Sequence, residues 1–105
     1  MVARGDVWWV RLNPTVGHEI QKTRPCLIVS PDVMNRSGVS IIVPLTGGGP
    51  HRRFRVPTSV AKKPGAAAVD QVRVIDHARL GRRIGEAEQK VLQAVLATLR
   101  EMFED

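Results

Sequence analysis

Three clusters of polar residues in this chain have the types and spacing to act on an anion. Gly17-His18-Glu19, with Lys22 and Arg24, stands just ahead of the apolar run Cys26-Leu27-Ile28-Val29. Thr46 opens into the glycine-rich stretch Gly47-Gly48-Gly49-Pro50-His51-Arg52-Arg53. Asp70-Gln71-Val72-Arg73 forms the third cluster. Arg24 is the most constrained of these, because Pro25 fixes its own φ and pushes the residue before it toward an extended conformation. An arginine held this way presents a rigid fork of donors suited to a phosphate. The same residue types also allow a structural salt bridge from Arg24 to a carboxylate such as Asp70, and both readings stand at this level.

Other chemistries find less support. His18, His51 and His77 are scattered and Cys26 lies inside an apolar run, so no spacing resembles a zinc site, and the sequence predicts no metal and no cofactor. The glycine-rich stretch lacks the Lys-Ser/Thr ending and following helix of a nucleotide-binding P-loop and reads as a hairpin loop, from which Arg52 and Arg53 can touch a phosphate backbone. Cys26, flanked by Pro25 and Leu27, reads as a small buried hydrophobe. No serine lies in a G-x-S-x-G elbow. Trp8 and Trp9 are adjacent on a strand and point to opposite faces, one to the core and one outward toward a partner chain or a base.

The charge distribution agrees with an anionic partner. The formal net charge of the 105 residues is +6. Residues 86–105 carry two basic and five acidic side chains, so the other 85 residues hold 14 basic against five acidic. The excess positive charge therefore belongs to the body of the chain, as it does in proteins that bind nucleic acid or an acidic protein. The length predicts one domain over residues 1–105. No long apolar run and no signal-peptide h-region is present, and one cysteine cannot form an internal disulfide. These features predict a protein of the reducing cytoplasm with no membrane segment.

The elements carrying these groups read as short strands followed by a helix. Asp6–Leu12, Cys26–Ser30, Val39–Leu45 and Phe54–Pro57 are strand candidates, and residues 67–75 carry one or two more. Pro44 belongs near a strand end or at an edge. Asp32–Asn35 reads as one helical turn. Residues 15–23, 47–53 and 61–65 read as loops on this scaffold, where binding groups usually lie. Val91, Leu92, Val95, Leu96, Leu99, Met102 and Phe103 recur at helical spacing and predict a helix over about 86–103, with Glu86 and Glu88 in its first turn. Strands over about 5–80 and one C-terminal helix make a mainly β, α+β fold, a small bent antiparallel sheet or barrel.

In order along the chain, Arg4-Gly5-Asp6-Val7-Trp8, Pro14-Thr15-Val16-Gly17-His18-Glu19, Thr23-Arg24-Pro25, Val43-Pro44-Leu45-Thr46, Asp70-Gln71-Val72-Arg73 and Arg79-Leu80 through Ile84-Gly85 resemble the motifs of the MazF/PemK (Kid) toxins of bacterial toxin–antitoxin pairs. The resemblance covers nearly the whole chain. It implies an SH3-like barrel of the CcdB/Kid/MazF type with a C-terminal helix, forming a homodimer. It implies a metal-independent endoribonuclease that cuts single-stranded RNA, chiefly mRNA, at a short sequence, leaving a 2′,3′-cyclic phosphate and a 5′-hydroxyl. It also implies a cognate acidic antitoxin that occupies the RNA groove.

By the same resemblance Arg24 and Thr46 are the catalytic pair, the first stabilising the phosphorane, with proton transfer as a further role open to it, and the second donating a hydrogen bond to the phosphate. His18 and Asp70 are acid–base or RNA-positioning groups, and Glu19 and Gln71 orient them or contact bases. On their charge rather than on the resemblance, Lys22, Arg52, Arg53 and Arg73 are expected to bind RNA. The chain departs from the family pattern twice. Thr46 is followed by Gly47 where serine is common. Ala68 stands where some members carry a catalytic arginine two residues before the aspartate, so a mechanism that pairs an arginine at 68 with Asp70 cannot operate. Two other functions fit part of the pattern. A gyrase-poisoning toxin on the same fold would act through its C-terminal helix and lack the Arg-Pro and Thr motifs. A plain RNA-binding module would bind RNA without cutting it.

Overall fold

The computed structural model describes residues 1–47, 52–60 and 62–105. Most of the glycine-rich stretch, including His51, and Ala61 lie outside the described residues. The chain forms β1 (Asp6–Arg11), β2 (Thr23–Ile28), a short helix α1 (Asp32–Asn35), β3 (Val39–Gly47), β4 (Arg55–Val60), β5 (Lys63–Ala68), β6 (Arg73–Asp76), β7 (Leu80–Glu86) and a C-terminal helix α2 (Gln89–Met102). All strand pairings are antiparallel, in the order β4-β5-β3-β2-β1-β7, with β6 also on β3. The expected mainly β fold with a C-terminal helix is therefore present, as a sheet of seven strands among the described residues.

The apolar run 26–29 is continuous because both faces of the sheet are covered there. Leu27 and Val29, with Val43, Leu45, Val56, Ala67 and Val69, form one core beneath Val91, Leu92 and Val95 of α2. Cys26 and Ile28, with Val10, Leu12, Ile42 and Ile75, form a second core on the other face. Each fully buried aliphatic side chain on α2 contributes about 1.5–3 kcal/mol through removal from water. Trp8 packs against the second core. Trp9 is half-buried and lies against Gly81 of β7, where an added Cβ would stand 3.2 Å from the Trp9 Cβ.

Several boundaries differ from the sequence expectation for physical reasons. β2 begins at Thr23, so Arg24 is a strand residue paired with Val10. Helix α2 begins at Gln89 because β7 claims the preceding residues: Glu86 pairs with Asp6, and the Ala87 N–H donates to the Gly5 carbonyl at 2.9 Å. Glu86 is thus a strand residue and Glu88 the N-cap, not a first-turn pair. Phe103 lies past the helix and is 77% exposed, outside the apolar stripe. Strand β7, with the pattern Leu-Gly-Arg-Arg-Ile-Gly-Glu, carries too little apolar alternation to be read from sequence. Lys63–Gly65, expected in a loop, begin β5.

Two irregularities interrupt the ladders. β3 pairs with β2 only as far as Pro44, opposite Cys26, and from Leu45 onward pairs with β5. Pro44 is therefore inside the strand, at a change of partner, where a residue without an N–H does least harm to a ladder. β5 and β6 also lie along the same edge of β3. Leu45 opposes Ala67 and Ile42 opposes Arg73, so the four residues 42–45 of β3 face seven, 67–73, on the other side. The excess is extruded as a 3₁₀ turn, Val69–Gln71, anchored by the fully buried Val69, and Asp70 and Gln71 stand out from the sheet.

Candidate active site

The split between β2 and β3 opens a groove of about 630 Å³. Its walls carry His18, Glu19, Arg24, Thr46, Arg52 and Arg55, and Pro57, Pro64, Gly65 and Ala66 supply much of the remaining surface. Thr46 opposes Ala66, which opposes Pro57, so these three form a cross-strand row over β3, β5 and β4. Extending the β2–β3 register two residues past Cys26 and Pro44 brings Arg24 opposite Thr46, across the gap where the strands part. Gly65 permits the tight floor, since a Cβ there would meet the Thr46 carbonyl oxygen at 2.4 Å.

Arg24 is half-buried, and its Nε donates to the Gln21 carbonyl at 3.1 Å. That contact fixes the guanidinium while its terminal nitrogens have no partner among the described residues. The alternative salt bridge to Asp70 is not formed. The Thr46 hydroxyl makes only a long 3.4 Å contact to the Ala66 carbonyl and keeps its capacity to donate to a ligand. Cys26, two residues from Arg24, is fully buried; burial pushes its thiol up to about 12 against the opposing charges of Arg73 and Arg24, so it is not a thiolate at neutral pH.

The loop ahead of β2 forms the opposite wall and is pinned by side chains. The Gln71 amide accepts from the Ile20 N–H at 3.1 Å and donates to the His18 carbonyl at 3.2 Å. The Glu19 carboxylate accepts from the Val16 N–H at 2.6 Å. His18 and Glu19 are exposed and border both the groove and a smaller hollow of about 320 Å³, which Asp70, Gln71 and Arg73 line from the other side.

Not every basic residue anticipated from the sequence converges here. Lys22, at φ 73°, lines a separate hollow with Arg11 and Arg79. Arg53 stacks over the Phe54 ring at 4.9 Å and pairs with Glu101 of α2 at 3.1 Å. Arg73 lines the smaller hollow, and one of its terminal nitrogens donates to the Leu12 carbonyl at 3.1 Å. Sequence reasoning missed Arg55. It opposes Ala68 in the β4–β5 ladder and grips Asp70 with two hydrogen bonds, Nε to Oδ1 at 2.6 Å and Nη2 to Oδ2 at 3.2 Å. Position 68 offers no arginine, yet a guanidinium reaches Asp70 from the neighbouring strand. The available signal was an arginine between Phe54 and Val56 in an alternating run.

Among the described residues, no three His, Cys, Asp or Glu side chains gather as metal ligands would. No described helix is long and apolar enough to cross a membrane.

Comparison with known proteins places this architecture. A family described as "PemK-like, MazF-like toxin of type II toxin-antitoxin system" matches residues 3–103. The chain is 40% identical over 103 residues to endoribonuclease PemK of Escherichia coli, covering 91% of this chain and 77% of that protein. It is 38% identical over 108 residues to endoribonuclease toxin ChpB of Escherichia coli K12, covering 96% and 93%. The crystal structure of MazF from Deinococcus radiodurans superposes with a TM-score of 0.86 at 27% identity, over 96% of this chain and 94% of that one.

Proposed function

The chain belongs to the PemK-like, MazF-like toxin family of type II toxin–antitoxin systems, and we propose that it is a metal-independent endoribonuclease toxin that cleaves single-stranded RNA in this groove. The observation that carries the proposal is that Arg24 and Thr46 line one groove, with the terminal nitrogens of Arg24 unpartnered among the described residues and the Thr46 hydroxyl held only by a long 3.4 Å contact.

Cleavage by the adjacent ribose 2′-hydroxyl needs a proton acceptor at that oxygen, donors on the developing phosphorane and a proton for the leaving oxygen. Arg24 binds the non-bridging oxygens and neutralises the charge that grows on them. Thr46 donates its hydroxyl to the same phosphate. His18 stands on the loop wall where it can exchange a proton or hold the RNA chain. Glu19 and Gln71 act by holding the loop that carries His18, since both side chains bond to its backbone. Arg52 contributes positive charge at the groove edge. The products are a 2′,3′-cyclic phosphate and a 5′-hydroxyl.

The positive body of the chain suits two ligands for one site, RNA and an acidic segment of a cognate antitoxin, so inhibition is competitive. The protein works as a single-domain toxin of the bacterial cytoplasm and as a homodimer, for which the half-buried Trp9 and the exposed Val74 and Ile84 offer surface. A monomer by light scattering at micromolar concentration overturns the dimer.

The primary test incubates purified protein with mixed-sequence single-stranded RNA in EDTA and maps the new ends. Cuts at one short sequence with cyclic-phosphate and 5′-hydroxyl ends are expected. Intact RNA after prolonged incubation with folded protein overturns the proposal.

A further inference from the structure

Arg55 and Asp70 form the most tightly bound ion pair at the groove. The Arg55 side chain is 17% exposed, its partner's 36%. Both carboxylate oxygens accept from the one guanidinium, the two-pronged geometry that arginine forms and lysine cannot. Of the guanidinium's five N–H groups, two are engaged on Asp70, and the others have no partner among the described residues. The fully buried Ala68 opposes Arg55 in the ladder, and a longer side chain there would compete for the space the guanidinium crosses.

The pair is oriented. Arg55 lines the groove and Asp70 does not, whereas Asp70 lines the smaller hollow behind it and Arg55 does not. The positive end therefore faces the groove that holds Arg24 and Thr46, with the negative end at its back. Both Asp70 oxygens accept from the guanidinium, and Arg55 is the member of the pair that lines the groove. A guanidinium braced by a carboxylate gives up less side-chain freedom on meeting a phosphate than a free arginine.

We propose that Arg55 is a second phosphate-binding cation of the groove, alongside Arg24, and that Asp70 is a positioning residue that acts through Arg55 and takes no proton from the substrate. This assignment rests on the reading of the groove as an RNA site.

Two measurements test it. The first is binding of an all-2′-deoxy single-stranded oligonucleotide, which lacks the attacking hydroxyl, by fluorescence anisotropy over a salt series. Arg55→Ala is expected to weaken binding about tenfold and to lower the slope of log affinity against log salt by about 0.7. Arg55→Lys keeps the charge and the slope and loses part of the affinity, and its unchanged thermal melt guards against misfolding as the cause. The second is cleavage against pH. Asp70→Asn is expected to raise KM and leave the shape of the profile intact, and Arg55→Ala/Asp70→Asn to be no worse than Arg55→Ala alone.

Wild-type affinity and slope in Arg55→Ala, loss of the acidic limb in Asp70→Asn, or additive effects in the double variant each overturn the proposal. So does a wild type that fails to bind the oligonucleotide at low salt. A wild type that binds but never cleaves overturns the nuclease reading, and the salt slope still decides the role of Arg55.

Discussion

Strand β3 carries a hydroxyl near each end, and the two ends are opposites. Ser40 is fully buried. Its hydroxyl donates to Asn35 Oδ1 at 2.7 Å and lies 2.8 Å from His77 Nε2. Because its one proton goes to Asn35, the proton in the second contact belongs to the His77 ring. Ser30 donates to the same Asn35 oxygen and accepts from the Ile41 N–H at 2.9 Å, so the network is closed. Thr46 is half-buried at the partner change, with one long contact, beside an Arg24 whose terminal nitrogens are unengaged among the described residues. Buried polar groups must be satisfied or they cost stability. Groups kept with donors free must border water or a ligand, and β3 meets both demands because its two ends have different neighbours.

The sharpest break in this comparison is at the open end. Arg24→Ala or Thr46→Ala should lower the single-turnover cleavage rate about 100-fold or more while leaving the thermal melt within a few degrees of wild type. Normal cleavage by either variant would mean that the open donors are not catalytic. At the closed end the effects should reverse. Asn35→Ala strands the Ser30 and Ser40 hydroxyls and should cost about 2–3 kcal/mol in denaturant unfolding, with cleavage per folded molecule unchanged.

Asp6 extends the closed class to strand β1. It is buried on β1 and accepts from the Ala3 N–H, Trp8 Nε1 and Arg83 of β7. Burial alone would raise its carboxyl, but these hydrogen bonds and the Arg83 charge outweigh it and hold the group below the ordinary carboxylate value. A depressed folded value adds stability that is fully present above the unfolded carboxylate pKa and is lost as pH falls through the folded one. Asp6→Asn should therefore cost about 1–2 kcal/mol near neutrality, discounted because Arg83 is partly exposed, and should flatten the acid limb of stability. A parallel acid limb in both proteins would contradict this account. The smallest effect belongs to the loop clamp. Gln71→Leu removes two hydrogen bonds to the 18–20 backbone and should lower kcat/KM about fivefold, equivalent to roughly 1 kcal/mol, with little change in the melt.

Legibility from sequence followed the range of the interactions involved. The run 26–29, the periodicity of α2 and the turn at Asp32–Asn35 are local patterns, and all three are present. β7 was not legible because Gly81, Arg82, Arg83 and Gly85 gain their strand conformation from the ladder to β1 and not from their own propensity. Arg24 and Thr46 were singled out by their motifs, and both line the groove. The separation of Lys22 and Arg53 from the groove was not legible, because it depends on a positive φ in one case and on a contact with α2 in the other.

The sequence by itself determined a basic chain of mainly β type with an apolar C-terminal helix, an arginine held extended by Pro25, and a family pattern running nearly end to end. Only the tertiary structure decided which charges share a space. Arg55 and Asp70 are 15 residues apart and meet because β4 pairs with β5 and three extra residues are extruded between β5 and β6. Register is set by which faces of the sheet are buried, and that is a property of the packed sheet, which no single segment contains.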